Sequence, residues 1–388
     1  MDIRLVARCI RGVETVVAAE ILRLGVGPVV EMGHREVHFR PRRPDPAVLR
    51  LRTADDVLLS AATGPDIGSA RTAVAALAEL SEMVDATALL DWRRRCGGRG
   101  DLGGGVDVSA SFLGGRNFAR YDAEDAVGRA LARRLGVGYR SRRDGAPPRD
   151  YSGWRLTLDG DRARLLLSVA DRPLHRREYK RESVPGTLHP PLAAAMAQLA
   201  EIRSGERVLD PCCGAGTLLI EAARLRPDAF FRGFDRDAGA VRAARANAAE
   251  AVDVHRGDAR IRRDGIPVLW GDIDLRRGDA GELPIARGDV DRILCNPPWG
   301  GQAAPRGLLA AEPTRLWPEL RRVLAPGGTA VVLIPDTALL ATAIAADFLP
   351  THVQPVRVSG RQVHIARLES RHPARRRGQP HTARVAPG

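Results

Sequence analysis

Cysteine is scarce in this sequence. The 388 residues include five cysteines, an odd number that does not suit a framework of disulfide bonds. No two of them have the CxxC spacing of a zinc ribbon. We therefore expect a protein without a metal site, whose thiols stay reduced as they do in the cytoplasm.

Long hydrophobic runs are missing as well. No stretch of about 18 residues is both apolar and uncharged, which argues against a membrane-spanning helix. The residues before Arg8 and Arg11 lack the apolar core of a signal peptide. Hydrophobic residues make up 44% of the chain and charged residues 28%, which is typical of a soluble globular protein. At roughly 100–200 residues per domain, the length predicts two or three domains.

Lysine is almost absent, and yet the chain is strongly basic. Lys180 is the only lysine, so arginine supplies nearly all of the positive charge. Lys and Arg together number 60 against 47 Asp and Glu, which gives a net charge of +13. A GC-rich coding sequence would explain the preference for arginine, but not the excess of positive charge. The balance favours an anionic partner, with nucleic acid as the first choice.

Composition and periodicity divide the chain into five segments. They are an α+β subdomain (1–60), a second α+β domain (61–172), a charged linker (173–191), a region of alternating strands and helices (192–368) and a basic tail (369–388). The alternation in the fourth segment predicts an α/β fold with a doubly wound, mostly parallel sheet. In the second segment, Asp122 is the predicted cap of a helix that ends near Leu135.

A glycine loop follows the first strand of the α/β region. Asp210 ends that strand, and Gly214 and Gly216 let the backbone approach a ligand before a helix begins at Thr217. The third glycine of a dinucleotide-binding loop is missing, because Leu219 holds its place. A carboxylate on the strand would repel a pyrophosphate but would attract a sulfonium and an ammonium group. Both features favour S-adenosylmethionine over NAD as the cofactor.

Two further carboxylates are candidates for contacts with this cofactor. Asp235 ends the next predicted strand, the position from which a carboxylate accepts hydrogen bonds from ribose hydroxyls. Its alternative role is to cap the following helix, which Asp237 could do equally well. For the adenine edge we prefer Asp279 to Asp258, because Asp279 lies a short distance before the next strand.

The tetrapeptide Asn296-Pro297-Pro298-Trp299 follows another apolar run. The Asn296 side chain and the Pro297 carbonyl offer two acceptors, and the Trp299 indole offers a flat face. An exocyclic amine on a base is a poor nucleophile because its lone pair is conjugated into the ring. Two acceptors can turn that lone pair toward a methyl donor while stacking holds the ring plane, so catalysis is mostly positioning. The alternative is a plain turn.

The predicted loop Gly115–Tyr121 places cations beside aromatic rings just before a helix. Arg116, Phe118, Arg120 and Tyr121 are the candidate RNA contacts in it, since such groups pair with phosphates and stack on bases. The alternative is a solvated loop. A target base inside a stem would have to be extruded to reach Trp299.

These motifs together resemble a known family. Asp210–Thr217, Asp235, Asp279 and Asn296–Trp299 are similar to the motifs of class I S-adenosylmethionine-dependent methyltransferases that modify amino nitrogens. The resemblance implies cofactor contacts from Asp210, Pro211, Cys212, Gly214, Gly216, Thr217, Asp235, Asp279 and Ala280, and a catalytic role for Asn296, Pro297, Pro298 and Trp299. It also implies a reversed seventh strand in the sheet.

The N-terminal half resembles the ferredoxin-like plus THUMP module of RNA guanine-N2 methyltransferases, with 1–60 as the ferredoxin-like subdomain and 61–172 as the THUMP-like, RNA-binding domain. The supporting stretches are Arg52–Leu59, Val106–Leu135 and Pro173–Arg177. The chain departs from the family in having Trp299 for Tyr or Phe, Glu178 where the linker often has Gly, and an additional segment near 252–272. The compact arrangement is more like the tRNA acceptor-stem enzymes than the large rRNA enzymes, so the resemblance implies tRNA as partner.

Other functions remain open at this point. The tetrapeptide also serves adenine-N6 in nucleic acids and glutamine-N5 in proteins, and 23S rRNA is the alternative RNA substrate. A non-catalytic RNA-binding protein is a further alternative, although Gly216, Asp235 and Asn296 are all present. Cys212, Cys213 and Cys295 are interpreted as packing residues rather than nucleophiles. The oligomeric state is not readable from the sequence, with a monomer favoured.

Overall fold

The structure is a computed structural model that describes residues 3–257, 262–263, 266–267, 273–300 and 304–371. It contains two compact units. The first comprises the chain up to Lys180 together with Leu188–Ala195 and Val356–Arg361. The second comprises Arg181–Thr187, Met196–Pro355 and the chain from Gln362 onward. No helix among the described residues is long and apolar enough to cross a membrane.

The first unit is built on an eight-stranded sheet. Its strands are β1 (Leu5–Arg8), β2 (Val29–Gly33), β3 (Glu36–Phe39), β4 (Asp56–Pro65), β5 (Gly105–Phe112), β6 (Gly138–Tyr139), β7 (Ser152–Leu158) and β8 (Arg162–Ser168). Their order across the sheet is β2-β3-β1-β4-β8-β7-β5-β6. The helices are α1 (Glu14–Leu24), α2 (Glu79–Glu82), α3 (Ala86–Arg95) and α4 (Arg120–Leu135), with 3₁₀ turns at Pro46–Arg50, Arg71–Ala78 and Arg142–Asp144.

Strands from the first two predicted segments belong to this one sheet. β4 pairs antiparallel with β1 along one edge and with β8 along the other. The pairing joins residues 1–60 to residues 61–172 through continuous backbone hydrogen bonds. The division of this unit at residue 60 stays a proposal.

Helix α4 begins two residues before its predicted cap. Asp122 lies in the first turn, and its carboxylate accepts a hydrogen bond from the Ala119 backbone N–H at 2.9 Å. The side chain therefore stabilises the helix N-terminus from the third helical position instead of the position before the helix. The predicted end of the helix at Leu135 is confirmed.

The second unit contains a seven-stranded sheet. Its strands are β9 (Arg207–Asp210), β10 (Phe230–Asp235), β13 (Asp274–Arg277), β14 (Val290–Cys295), β15 (Leu324–Ile334), β16 (Phe348–Val358) and β17 (Arg361–Ser370). Two short strands, β11 (Arg262–Arg263) and β12 (Ile266–Pro267), pair separately. The helices are α6 (Thr217–Leu225), α7 (Ala238–Gly257), α8 (Leu308–Ala311), α9 (Leu316–Val323) and α10 (Leu339–Ala345), with a 3₁₀ turn at Pro313–Arg315. Helix α5 (Pro190–Leu199) precedes them, with residues 190–195 in the first unit and residues 196–199 in the second.

The predicted doubly wound sheet is confirmed. The strand order is β13-β10-β9-β14-β15-β17-β16, and the pairs from β13 through β15 are all parallel. β17 runs antiparallel to β15, which is the reversed strand implied by the resemblance. Because β13, β10, β9 and β14 are parallel neighbours, their carboxyl ends meet at the same edge of the sheet.

The core of the second unit includes the central strands of this sheet. Leu209, Ile293 and Val332 come from three neighbouring strands and are fully buried in it. β17 extends to Ser370, so the first two residues of the predicted tail belong to the sheet. The rest of the tail, from residue 372, lies outside the described residues.

We predict that Glu20→Ala destabilises the first unit by about 3 kcal/mol. The buried Glu20 carboxylate accepts hydrogen bonds from the Thr53 hydroxyl at 2.6 Å and from the Thr53 and Arg52 backbone N–H groups. Alanine would leave these donors without a partner. Chemical denaturation measures the change. Arg23→Ala is the control, because this half-exposed partner of Glu20 should contribute less than about 1 kcal/mol. Equal effects of both substitutions would contradict the assignment.

Candidate active site

Four polar side chains singled out by the sequence lie at the carboxyl ends of neighbouring strands. Asp210 ends β9 and Asp235 ends β10, while Asn296 comes directly after β14. Asp279 follows β13 by two residues. The sheet therefore brings together, at one edge, groups that are separated by up to about a quarter of the chain.

Asp210 is a buried carboxylate at the end of β9. The residue is 1% exposed and accepts a hydrogen bond from the Cys212 backbone N–H at 3.0 Å. Burial raises the pKa of Asp210 to about 8, and the neighbouring Asp235 carboxylate adds to the increase. A cationic ligand at this edge would compensate the cost of ionising the carboxyl group.

The glycine loop turns from β9 into α6. Gly214 and Gly216 have φ angles of 52° and 80°, a left-handed backbone that favours glycine. A Cβ on Gly216 would lie 3.2 Å from the Cβ of Ala244, so α7 approaches the loop closely. The Thr217 hydroxyl is buried, and it has no hydrogen-bond partner among the described residues. This hydroxyl is therefore available for a hydrogen bond to a ligand.

Asp235 connects its strand to the glycine loop. Its carboxylate accepts hydrogen bonds from the backbone N–H groups of Gly214 and Asp237, both at 2.9 Å. The neighbouring Asp237 caps α7, since its carboxylate accepts from Gly239 at 2.6 Å and from Ala240 at 3.4 Å. These backbone N–H groups, Gly239 first, lower the pKa of Asp237. The capping role considered for Asp235 is therefore filled by Asp237.

Asp279 is already engaged at this edge. Its carboxylate accepts backbone hydrogen bonds from Gly281 at 2.9 Å and from Leu308 at 3.2 Å, and it pairs with Arg236 at 3.1 Å. The next residue, Ala280, is buried. The alternative carboxylate, Asp258, lies outside the described residues. The sequence does not predict the ion pair with Arg236, which lies 43 positions before Asp279.

The tetrapeptide after β14 is held at both ends. The Asn296 side-chain amide donates from Nδ2 to the Gly186 carbonyl at 3.2 Å. The Trp299 indole N–H donates to the Leu333 carbonyl at 2.8 Å. The indole also packs on Trp317, with ring centroids 6.4 Å apart and planes inclined by 31°. These contacts fix the plane of the half-buried Trp299 ring, while Pro297 between the two anchors is buried.

The cysteines near the site are packing residues. Cys295 lies inside β14 and Cys213 inside the glycine loop, and both are buried. Burial raises the pKa of both thiols, which opposes formation of a nucleophilic thiolate. Cys212 is partly buried and packs against the core that contains Cys295.

The predicted RNA-binding loop divides into two pairs of residues. Arg116 forms a paired contact with Asp66 at 2.6 and 2.8 Å, and both side chains are almost completely buried. Phe118 is 7% exposed and packs edge-on against Phe112. The structure thus gives Arg116 and Phe118 internal partners.

The second pair remains accessible. The Arg120 guanidinium is exposed and lies 4.8 Å from the centroid of the Tyr121 ring. Arg143 approaches the same ring at 5.5 Å. Of the four candidate RNA contacts, Arg120 is exposed and Tyr121 is partly exposed.

One functional side chain without a recognisable motif is Asn247 in α7. It is fully buried, and its amide makes four hydrogen bonds with residues 181, 182 and 215. One signal was available: Ala240, Ala244, Asn247 and Ala251 follow helical spacing, which places the polar side chain on the buried face. The partners of that side chain could not be read from the spacing.

Comparisons with known proteins agree with this arrangement. Residues 177–364 match the RMKL-like methyltransferase domain family. The chain is 32% identical over 271 residues to a tRNA (guanine(6)-N2)-methyltransferase of Thermus thermophilus, covering 69% of this chain and 72% of that protein. It is 30% identical to the U6 snRNA (guanine-N(2))-methyltransferase THUMPD2 of Bos taurus, covering 47% of this chain and 34% of that protein.

A solved structure extends the likeness to nearly the whole chain. The crystal structure of TrmN from Thermus thermophilus superposes with a TM-score of 0.69 at 28% identity. The match covers 95% of this chain and 100% of that one. It includes the α+β unit as well as the α/β unit. The chain belongs to the family of S-adenosylmethionine-dependent RNA guanine-N2 methyltransferases.

Proposed function

We propose that the protein transfers a methyl group from S-adenosylmethionine to the exocyclic N2 amine of a guanine in tRNA, with the acceptor stem as the favoured location. The observation that carries the proposal is the position of Asn296–Trp299 at the end of β14, directly beside the strand that ends in Asp210. The end of β14 therefore offers hydrogen-bond acceptors for an amine, and the end of the neighbouring β9 offers a buried carboxylate for a cation.

The residues present fit the cofactor. The Asp210 carboxylate suits the cationic methionine end, because its burial is otherwise uncompensated. Asp235 has acceptor capacity left for ribose hydroxyls after its two backbone hydrogen bonds. The orphaned Thr217 hydroxyl and the open backbone of the glycine loop complete the set. Asp279 and Ala280 would flank the adenine, and Pro211 and Cys212 would line the loop.

The protein's part in the reaction is positioning. The cofactor supplies a methyl group on a sulfonium. Asn296 Oδ1 and the Pro297 carbonyl accept the two N–H bonds of the amine, so that its lone pair points at the methyl carbon. Methylation would leave the substrate nitrogen positively charged, and one of the two protons facing Asn296 Oδ1 and the Pro297 carbonyl would then be lost to solvent. Pro298 stiffens the loop, and the Trp299 ring holds the base in plane.

Several observations support tRNA as the substrate. The relative that shares 72% of its length with this chain is named for tRNA guanine methylation. The net charge of +13 suits a polyanion, and Arg120 with Tyr121 offers an exposed cation beside an aromatic ring. The proposal places the reaction in the cytoplasm, with the protein acting as a monomer.

The test of the substrate is incubation of the purified protein with S-adenosylmethionine and separate pools of unmodified tRNA and rRNA, followed by nucleoside mass spectrometry. We expect N2-methylguanosine in tRNA. The same product in rRNA alone would overturn the tRNA assignment, and N6-methyladenosine would overturn the base. Absence of every methylated nucleoside, with cofactor binding intact, would contradict the proposed activity.

We predict that Asn296→Ala lowers kcat by about a hundredfold or more while the affinity for S-adenosylmethionine changes less than about threefold. Alanine removes the acceptor that orients the amine, but no predicted cofactor contact. Single-turnover kinetics give the rate of transfer, and calorimetry gives the affinity. A variant with unchanged turnover would refute the catalytic role of Asn296.

We predict that S-adenosylmethionine binds more tightly as the pH rises from about 5 to about 7, a range in which its own α-ammonium group stays charged. Below its pKa of about 8 the Asp210 carboxyl is mostly protonated, so binding of a cation must release a proton. The dissociation constant should rise by up to about tenfold for each pH unit below that value. Calorimetry across this range measures the dependence. In Asp210→Asn the dependence should disappear, and a wild-type affinity that is flat with pH would contradict the role of Asp210.

A further inference from the structure

Residues 181–187 form a strap that belongs to the second unit although they lie in the predicted linker. Asn247 of α7 holds one end of this strap. Its Oδ1 accepts hydrogen bonds from the Arg181 and Glu182 backbone N–H groups, both at 2.9 Å. Its Nδ2 donates to the Glu182 and Ala215 carbonyls, both at 3.0 Å. One buried amide therefore ties the strap to the glycine loop.

The other end of the strap is a tight turn. The Thr187 backbone N–H donates to the Val184 carbonyl at 3.0 Å, with Pro185 and Gly186 between them. Gly186 has a φ angle of 78°, as the third position of a type II turn requires. The Thr187 hydroxyl adds two hydrogen bonds across the same turn. It accepts from the Val184 N–H at 2.8 Å and donates to the Val184 carbonyl at 2.6 Å.

This turn contacts both functional loops. The Gly186 carbonyl accepts the hydrogen bond from Asn296 Nδ2. The Val184 side chain lies over the glycine loop, since a Cβ on Gly214 would be 3.7 Å from Val184 Cγ2. The strap is thus in contact with the predicted cofactor loop and with the predicted catalytic side chain.

The contact with Gly186 has a chemical consequence for Asn296. A side-chain amide has a donor end and an acceptor end, and it can rotate by half a turn. An amine substrate donates hydrogen bonds, so it needs the oxygen of the Asn296 amide. If Nδ2 faced the substrate, the N–H groups of the amide would oppose the N–H groups of the amine. The Gly186 carbonyl binds Nδ2, so the oxygen is left for the substrate.

We propose that the strap selects the productive orientation of the Asn296 amide, with Thr187 and Asn247 as positioning residues. This inference rests on the proposed function, since it assumes that Asn296 Oδ1 accepts from the target amine. The strap acts through the Gly186 carbonyl, and it does not touch the substrate. Loss of the strap's internal hydrogen bonds lowers the fraction of Asn296 that is correctly oriented, and with it the rate of transfer.

The experiment compares Thr187→Val with Thr187→Ser in single-turnover methylation. Valine keeps the shape and the backbone hydrogen bond but removes the hydroxyl, whereas serine keeps the hydroxyl. We expect the single-turnover rate of transfer to fall about fivefold to tenfold in the valine variant, the effect of about one neutral hydrogen bond. The affinity for S-adenosylmethionine and KM for RNA should change less than about twofold. The serine variant should recover most of the rate.

A second comparison tests whether the effect passes through Asn296. Aspartate at this position has two equivalent oxygens and no N–H for Gly186, so orientation no longer matters. In the Asn296→Asp background, Thr187→Val and Asn247→Ala should therefore have little further effect on the remaining rate. Glu250→Gln is the matched control. This residue lies one turn from Asn247 and forms an ion pair with the largely exposed Arg181 side chain at 2.6 Å, so the rate of its variant should equal that of the wild type.

The outcomes separate this inference from the proposed function. Full activity of Thr187→Val, or an equal loss in the Asn296→Asp background, would overturn the positioning role. An equal loss of cofactor affinity would show that the strap only supports the fold. If the wild type methylates an amine other than guanine N2, the proposed function fails, while the strap comparison proceeds on that amine.

Discussion

The parallel pairing of β9 with β10 on one side and β14 on the other is the constraint on which the site depends. It places Asp210, Asp235 and Asn296 side by side although they are far apart in the chain. Strand ends in the core of a sheet are rigid, so the relative positions of these groups are set before any ligand binds. A reaction that is catalysed mainly by orientation requires such a frame.

The site also contains polar groups that the fold alone does not explain. Burial makes ionisation of the Asp210 carboxyl group unfavourable and raises its pKa. The Thr217 hydroxyl is buried without a hydrogen-bond partner among the described residues. In contrast, Asn247 is equally buried and uses every hydrogen-bonding position of its amide. The first two groups are typical of a binding site, and the third is typical of a structural clamp.

The sequence was sufficient for features with a local pattern. A strand, a glycine turn and a helix follow one another within about ten residues, and Asn296–Trp299 is contiguous, so the sequence alone identifies both motifs. Long-range partners were not predictable. Arg116 beside an aromatic residue suggested RNA binding, but Asp66, 50 positions earlier, neutralises it inside the protein. Local sequence likewise predicts only a linker for the strap, because its partner Asn247 lies 65 positions away from Glu182.

The most direct test of this account is a crystal structure of the protein with S-adenosylhomocysteine, the product of the cofactor. The account predicts that its amino group lies within hydrogen-bond distance of the Asp210 carboxylate and that its ribose hydroxyls lie on Asp235. It also predicts that the sulfur faces the space between Asn296 and Trp299. A sulfur turned away from Asn296, or a ribose that does not touch Asp235, would contradict the shared site at the strand ends.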